Sequence, residues 1–259
     1  MFYRAFVGWL ASVVQHVRSA ARPRRPEPVP AGQASTVAEV VERLRAEGQG
    51  LAPGDGVRHF NGMYLLVTER VGERLAGRRF TNPLFLERLD VVFAGLYLQA
   101  LTATPDQRNP AWRPLFESRS TAGVRPIQYA VAGMNAHINH DLALATVRAC
   151  RQIGITPTTP GVQQDYLLVN AVLAEVHEEV RQSMLRGPVL QVDREASPLL
   201  NLVGSWSVDR AREAAWHQAL VLWELQHSPT LTRTYLDTLA RNVGLVSRQL
   251  LTVVTPPLP

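Results

Sequence analysis

Residues 133–142 read GMNAHINHDL and lie in the middle of a long segment, residues 126–154, whose apolar residues recur at helical spacing. Side chains three and four positions apart share one face of a helix. One stripe of this helix is Met134, His137, Asp141, Leu144 and Arg148. The next stripe is wholly apolar: Ile127, Val131, Met134, Ile138, Leu142 and Ala145. Because an unsatisfied buried polar group costs about 1–3 kcal/mol, an imidazole and a carboxylate beside the core predict a hydrogen-bonded, paired or metal-bound site.

The chain on either side of this segment also has helical patterns. A Thr-x-x-Glu capping box at Thr36 opens a first helix, and Asp55 and Asn82 are start signals for a second and a third. Prolines then interrupt the pattern before the central segment. Three later helices are predicted over residues 162–186, 207–227 and 229–253. Since no alternating strand series appears, the sequence predicts an all-α fold, a single-domain bundle of about seven to eight helices.

The N-terminal part of the chain differs from this domain. Residues 1–21 contain an amphipathic helix pattern over residues 2–18, and residues 22–34 form a linker rich in Pro and Arg. We expect the helical domain to span residues 35–259. The helix pattern is too short to cross a bilayer. Two interpretations stay open: it contacts a membrane surface or a partner protein, or it docks on its own domain or is disordered.

Composition excludes several classes of function. All 27 basic residues are arginine, so no Schiff-base lysine and no phosphate-loop lysine exists, and we expect no nucleotide cofactor. The net charge is +5, but residues 1–30 hold five arginines against one glutamate. The nearly neutral remainder argues against nucleic-acid binding. Cys150 is the single cysteine, which predicts a reducing compartment and a cytoplasmic protein, with or without a peripheral membrane contact.

The candidate chemistry is centred on His137, Asp141 and Asp90, the last on the core face of the third predicted helix. Three interpretations stay open. These residues form a structural hydrogen-bond network, with donors such as Asn135, Arg210 or Arg212. They bind a divalent metal, completed by one of Glu175, Glu179 and His217. Or they form a metal-free catalytic or ligand site.

Several stretches of the chain match motifs of a known family, in the same order along the sequence. They are residues 87–94, residues 109–112, residues 134–139, Asp165 with Asn170, and residues 211–216. Together they resemble an uncharacterised all-helical family, known mainly from actinobacteria, of domains of unknown function (DUF5995). The resemblance covers about residues 54–251 and implies the helical domain without implying an activity. In that family the position of His140 need not be histidine, which favours His137 with Asp141.

Two functional hypotheses follow. The first is a helical enzyme of small-molecule metabolism, secondary metabolism included, of the lyase, cyclase or hydrolase type. In it His137 is the acid or base, and Asp141 or Asp90 orients it. The expected substrate contacts are Asn135, Asp165, Asn170, Arg210 and His217. The second is a non-catalytic ligand-binding or scaffold protein attached through residues 2–18. A cavity beside the central helix favours the enzyme, whereas a solid core there favours the scaffold.

Overall fold

The computed structural model of the protein describes residues 34–77, 80–170, 173 and 207–253, and all regular structure among these residues is helical. The helices before the central segment are α1 (Val37–Gly50), α2 (Gly56–Leu75), α3 (Pro83–Thr102) and the short α4 (Arg113–Glu117). The central helix consists of α5 (Pro126–Ala136), a π-helical turn (His137–Asp141) and α6 (Leu142–Ile153). The helices after it are α7, described over residues 162–170, α8 (Val208–Leu225) and α9 (Pro229–Leu250).

The all-α prediction is confirmed for the described residues. The predicted amphipathic helix at residues 2–18 and all of the predicted linker except Ala34 lie outside them. No helix in the described part of the chain has the length and apolarity needed to cross a membrane.

Two helices begin with the side-chain cap that the sequence predicts. The Thr36 hydroxyl accepts a hydrogen bond from the Glu39 backbone N–H at 3.2 Å, and Asp55 accepts one from the N–H of Val57 at 2.9 Å. The reciprocal bond to the Glu39 carboxylate comes from the N–H of Ser35, one residue before the cap. Side-chain acceptors at these ends satisfy N–H groups that a helix itself leaves free.

The start of α3 is secured differently from the prediction. Asn82 precedes the helix but makes no capping bond, and its amide instead donates to the Pro160 carbonyl oxygen at 3.1 Å. The Asp165 carboxylate on α7 accepts the backbone N–H groups of Thr81, at 3.0 Å, and of Asn82. A long-range contact between α7 and α3 thus replaces the expected local cap.

The central helix is the axis of the bundle. Helices α2 and α9 pack on its first half, α5, and helices α3 and α8 pack on its second half, α6. Each half belongs to its own apolar core cluster. Gly133 permits the closest approach on α5, because a Cβ atom there would overlap the Phe60 ring of α2. The candidate site therefore lies at the junction of the two cores.

The π-helical turn explains where the predicted stripe fails. The N–H of Leu142 donates to the carbonyl of His137, five residues back, so this turn holds one residue more than an α-helical turn. That residue rotates all later side chains about the axis. Met134, His137 and Asp141 are buried as predicted, whereas Leu144 is half-buried and Arg148 is exposed. The stripe prediction is wrong beyond Asp141 for this reason.

Candidate functional site

The carboxylate of Asp141 is the centre of a buried hydrogen-bond network. Its Oδ2 lies 3.1 Å from Nδ1 of His137 and accepts the indole N–H of Trp112 at 2.9 Å, and its Oδ1 lies 2.7 Å from Nδ1 of His140. Burial by itself would raise the pKa of Asp141, but the hydrogen bonds from His137 and His140 outweigh it and the pKa is lowered. Asp141 is therefore an ionised carboxylate held inside the protein.

This network fixes which nitrogen of each histidine carries the proton. An ionised carboxylate only accepts hydrogen bonds, so His137 and His140 both donate to Asp141 through Nδ1–H, and Nε2 of the neutral His137 ring is left as an acceptor. Nε2 of His140 lies 3.3 Å from the amide nitrogen of Asn109, which can donate to it. Nε2 of His137 is buried and has no partner among the described residues. His137 thus keeps one nitrogen for a ligand.

Aromatic rings surround the imidazole of His137. It stacks on Phe93, with ring centroids 3.5 Å apart and planes at 5°, and meets the edge of Tyr64 at 4.6 Å. Phe60 and Trp112 lie within 6 Å of it. Burial lowers the pKa of His137 even though Asp141 opposes this shift. The ring is therefore neutral near pH 7, with the Nε2 lone pair able to accept a proton.

A cavity of about 410 Å³ lies against this ring. Helices α2, α3 and the central helix form most of its wall, and α7 and α8 contribute to it. The wall is mainly apolar and includes Met63, Val67, Leu86, Phe93, Ile138 and Leu142. A mainly apolar cavity with a few polar groups is the usual form of a small-molecule site.

Three residues of this wall each have a buried polar atom with no hydrogen-bond partner among the described residues: the Tyr64 hydroxyl, Oδ2 of Asp90 and Nε2 of His137. The nearby Thr68 hydroxyl donates its proton to the Tyr64 backbone carbonyl at 2.9 Å, so that proton is not available to the phenol. Burial raises the pKa of Asp90 to about 6. Burial, and then the Asp90 charge, raise the pKa of Tyr64. A bound ligand could supply the partners that these atoms lack.

The structure brings two of the three predicted catalytic residues to the cavity. Asp90 and His137 are in its wall, whereas Asp141 lies behind His137 and orients it. Of the two carboxylates considered for that orienting role, Asp141 is the one that is hydrogen-bonded to His137.

The predicted substrate contacts lie in different places. Asn135 donates to the Val243 carbonyl at 3.0 Å and to the Ser247 hydroxyl at 2.9 Å, which joins α5 to α9. Asp165 holds the start of α3, and Asn170 accepts a hydrogen bond from Arg212. Arg210 and His217 are exposed on α8 and are not in the cavity wall.

The geometry offers no support for a metal centre here. Within the described part of the chain, no group of three or more His, Cys, Asp or Glu side chains is arranged to hold a metal ion. Nδ1 of His137 and Oδ2 of Asp141 face each other, so these two atoms do not face a common ligand position. Of the residues proposed to complete a metal shell, Glu175 and Glu179 lie outside the described residues, and His217 is exposed.

Sequence reasoning missed three contributors to this site. Tyr64 follows Phe60 by four residues on the core face of α2, so its helical spacing could have identified it. Trp112 and Asn109 lie in a Pro-containing turn between helices, and each contacts the central network across about 30 positions of the chain. No local pattern predicts a contact at that separation.

Comparisons with known proteins give one result. A family model described as a family of unknown function, DUF5995, matches residues 37–253. No curated protein and no solved structure shows a significant match. The matched region includes every described residue of the cavity wall.

Proposed function

The chain belongs to DUF5995, a family of unknown function, and from the geometry of its cavity we propose that the protein is an enzyme that transfers protons at a small, largely apolar substrate. The observation that carries the proposal is that three residues of one cavity wall, Tyr64, Asp90 and His137, each have a buried polar atom without a hydrogen-bond partner among the described residues. Each such atom costs about 1–3 kcal/mol, so a purely structural core would pair or replace them.

In this proposal His137 is the general base. Its Nε2 takes a proton from the substrate, and the Asp141 carboxylate holds the ring in the Nδ1–H form. As the imidazole becomes positively charged, the negative charge of Asp141 stabilises it. Trp112 and His140 keep that carboxylate in place through their own hydrogen bonds.

Tyr64 and Asp90 supply the remaining chemistry. The raised pKa of Tyr64 keeps its phenol protonated, so it can donate to a substrate oxygen that gains negative charge. Asp90, with a pKa of about 6, exchanges protons readily near neutral pH. Together they suit removal of a proton from a carbon beside a carbonyl group, with its return at another position or with loss of a leaving group. Isomerisation, cyclisation and elimination are the matching reaction types.

The lyase or cyclase type is favoured over a hydrolase that forms a covalent intermediate. No Ser or Cys is among the described residues of the wall, and the Thr68 hydroxyl already donates to the main chain. Cys150 is buried in the core of α6, where burial raises the pKa of its thiol. No activated nucleophile therefore faces the cavity in the described part of the chain.

The alternative is a non-catalytic carrier of apolar molecules, which the apolar wall favours. A carrier needs His137 only for binding, so replacing this residue would change affinity and convert no ligand. The two functions thus differ in whether bound compounds change chemically.

The test is incubation of the protein with small-molecule extracts in D2O, followed by mass spectrometry. We expect compounds that gain deuterium or rearrange with the wild type, and a rate at least about 100-fold lower with His137→Gln. His217→Gln, at the exposed histidine of α8, is the matched control and should keep the wild-type rate. Conversion by folded His137→Gln at the wild-type rate, or no converted compound with the wild type, would overturn the proposal.

A further inference from the structure

Arg212 is a buried cation in the wall of the cavity. It lies on α8 and only 5% of its surface is exposed. Its Nε donates to Oδ1 of Asn170, and its Nη2 donates to the backbone carbonyl of Tyr166 at 3.2 Å. The guanidinium also lies over the Tyr166 ring, 4.4 Å from its centroid. These contacts fix the plane of the guanidinium against α7.

All of these contacts are neutral. No carboxylate among the described residues forms an ion pair with Arg212, whose hydrogen bonds with them come from Nε and Nη2. Arginine stays charged in proteins, so its positive charge is buried without an ion-pair partner among the described residues, although the charge of Asp209, beyond ion-pairing distance, favours the charged form. A buried charge without an opposite partner is strongly destabilising unless something else compensates it. A bound anion would provide that compensation.

We propose that the cavity binds an apolar monoanion, a hydrocarbon body carrying one carboxylate, and that this carboxylate pairs with Arg212. The inference rests on the proposed function, because it names the substrate class of the same cavity. A guanidinium presents N–H groups in a plane that matches a carboxylate. Since Asn170 and Tyr166 already hold this plane, little ordering is needed when the anion binds.

The other charged residues of the wall limit the ligand to one negative charge. Arg212 is the only Arg or Lys among the described wall residues, while Asp90 and Glu87 are acidic residues of the same wall. A second negative charge on the ligand would meet these carboxylates and no second cation among the described wall residues. The mainly apolar remainder of the wall accepts the hydrocarbon body. A phosphate dianion or a nucleotide does not fit this balance of charge.

The experiment compares octanoate with octanamide, which share a hydrocarbon body and differ in charge. Each probe competes with the neutral dye N-phenyl-1-naphthylamine for binding to the full-length protein, and the loss of dye fluorescence measures its affinity. We expect octanoate to bind the wild type about tenfold more tightly than octanamide, because a charge-assisted pair replaces a neutral contact. Arg212→Met should remove that preference, because it weakens octanoate binding more than octanamide binding. Arg210→Met, at the exposed neighbouring arginine, is the matched control and should keep it.

Equal affinities of the two probes for the wild type, or a preference that survives in Arg212→Met, would overturn the inference. The wild-type comparison decides the question even if Arg212→Met fails to fold, and Arg212→Lys, which keeps the charge, should retain part of the preference. These outcomes also distinguish a failure of this inference from a failure of the proposed function. Octanoate preference without any converted compound would support a carrier of apolar anions, and conversion without carboxylate preference would contradict only the ligand class.

Discussion

Replacing Asp90 with asparagine should stabilise the protein at neutral pH. Burial raises the pKa of Asp90 from 3.8 to about 6, so the fold disfavours its ionised form. One pKa unit corresponds to about 1.4 kcal/mol, so the charge of Asp90 costs the folded state about 3 kcal/mol at pH 7. Asp90→Asn removes that charge at nearly constant volume. We expect a gain of up to about 3 kcal/mol, or roughly 6–12 °C in Tm for a domain of this size.

The dependence on pH gives this prediction its sign. The folded state binds the Asp90 proton more tightly than the unfolded chain does, because its pKa is raised. Above pH 6 the carboxyl is ionised in both states and the full cost is present. As the pH falls from 6 towards 3.8, the folded protein takes up the proton first and the cost disappears. The difference in stability between Asp90→Asn and the wild type should therefore shrink to near zero at pH 4.

Asp141→Asn is the matched control, because it makes the same chemical change at a carboxylate whose pKa is lowered. Asp141 accepts hydrogen bonds from His137, His140 and Trp112, and breaking such a buried network costs about 3–5 kcal/mol. Urea denaturation of both variants from pH 4 to pH 8 gives the free energies of unfolding. Destabilisation by Asp90→Asn at pH 7, or a gain equally large at pH 4, would refute the reasoning.

Three further predictions concern packing, the network and catalysis. Gly133→Ala should lower the free energy of unfolding by about 1–3 kcal/mol, because the added methyl group overlaps the ring of Phe60. Gly62→Ala, with open space around it, should raise the free energy of unfolding by about 0.5–1 kcal/mol. Thermal denaturation measures both changes. Trp112→Phe should destabilise the protein by about 1.5–3 kcal/mol, since the central carboxylate loses an N–H donor, and equal stability to the wild type in urea would contradict this. If the reaction needs Asp90 ionised, turnover of a converted compound should fall about tenfold per pH unit below pH 6. A rate that does not change between pH 4 and pH 7 would exclude a role for ionised Asp90 in the reaction.

Much of the fold follows from local signals in the sequence. Thr36 and Asp55 cap the helices that they were predicted to cap, and the predicted ends of the described helices lie within a few residues of the observed ones. Such signals work because a cap and its helix are neighbours in the chain. Asn82 is the instructive exception: its helix begins where predicted, but the acceptor for its backbone N–H is Asp165, on a distant helix.

The candidate site, too, was only partly predictable from local signals in the sequence. The pairing of His137 with Asp141 was predictable, because residues four apart on a helix lie side by side. His140 was given less weight, yet the structure places it in the same network, 2.7 Å from Asp141. His140 and Asp141 are adjacent residues of the π-helical turn, which differs from an α-helical turn by a single hydrogen-bond register and leaves no clear pattern in the sequence. The domain boundary at residue 35 and the membrane or partner contact of residues 2–18 stay predictions.

The sequence by itself determined that this protein is helical, that residues 126–154 form its central helix, and that a histidine and a carboxylate meet within that helix. Periodicity and capping act over one or two turns, so they specify local neighbours and the face that a helix buries. Only the tertiary structure decided that Tyr64 and Asp90 share a cavity wall with His137, and that a buried Arg212 joins them from α8. Those contacts depend on how whole helices pack together, and no local pattern records which faces will meet.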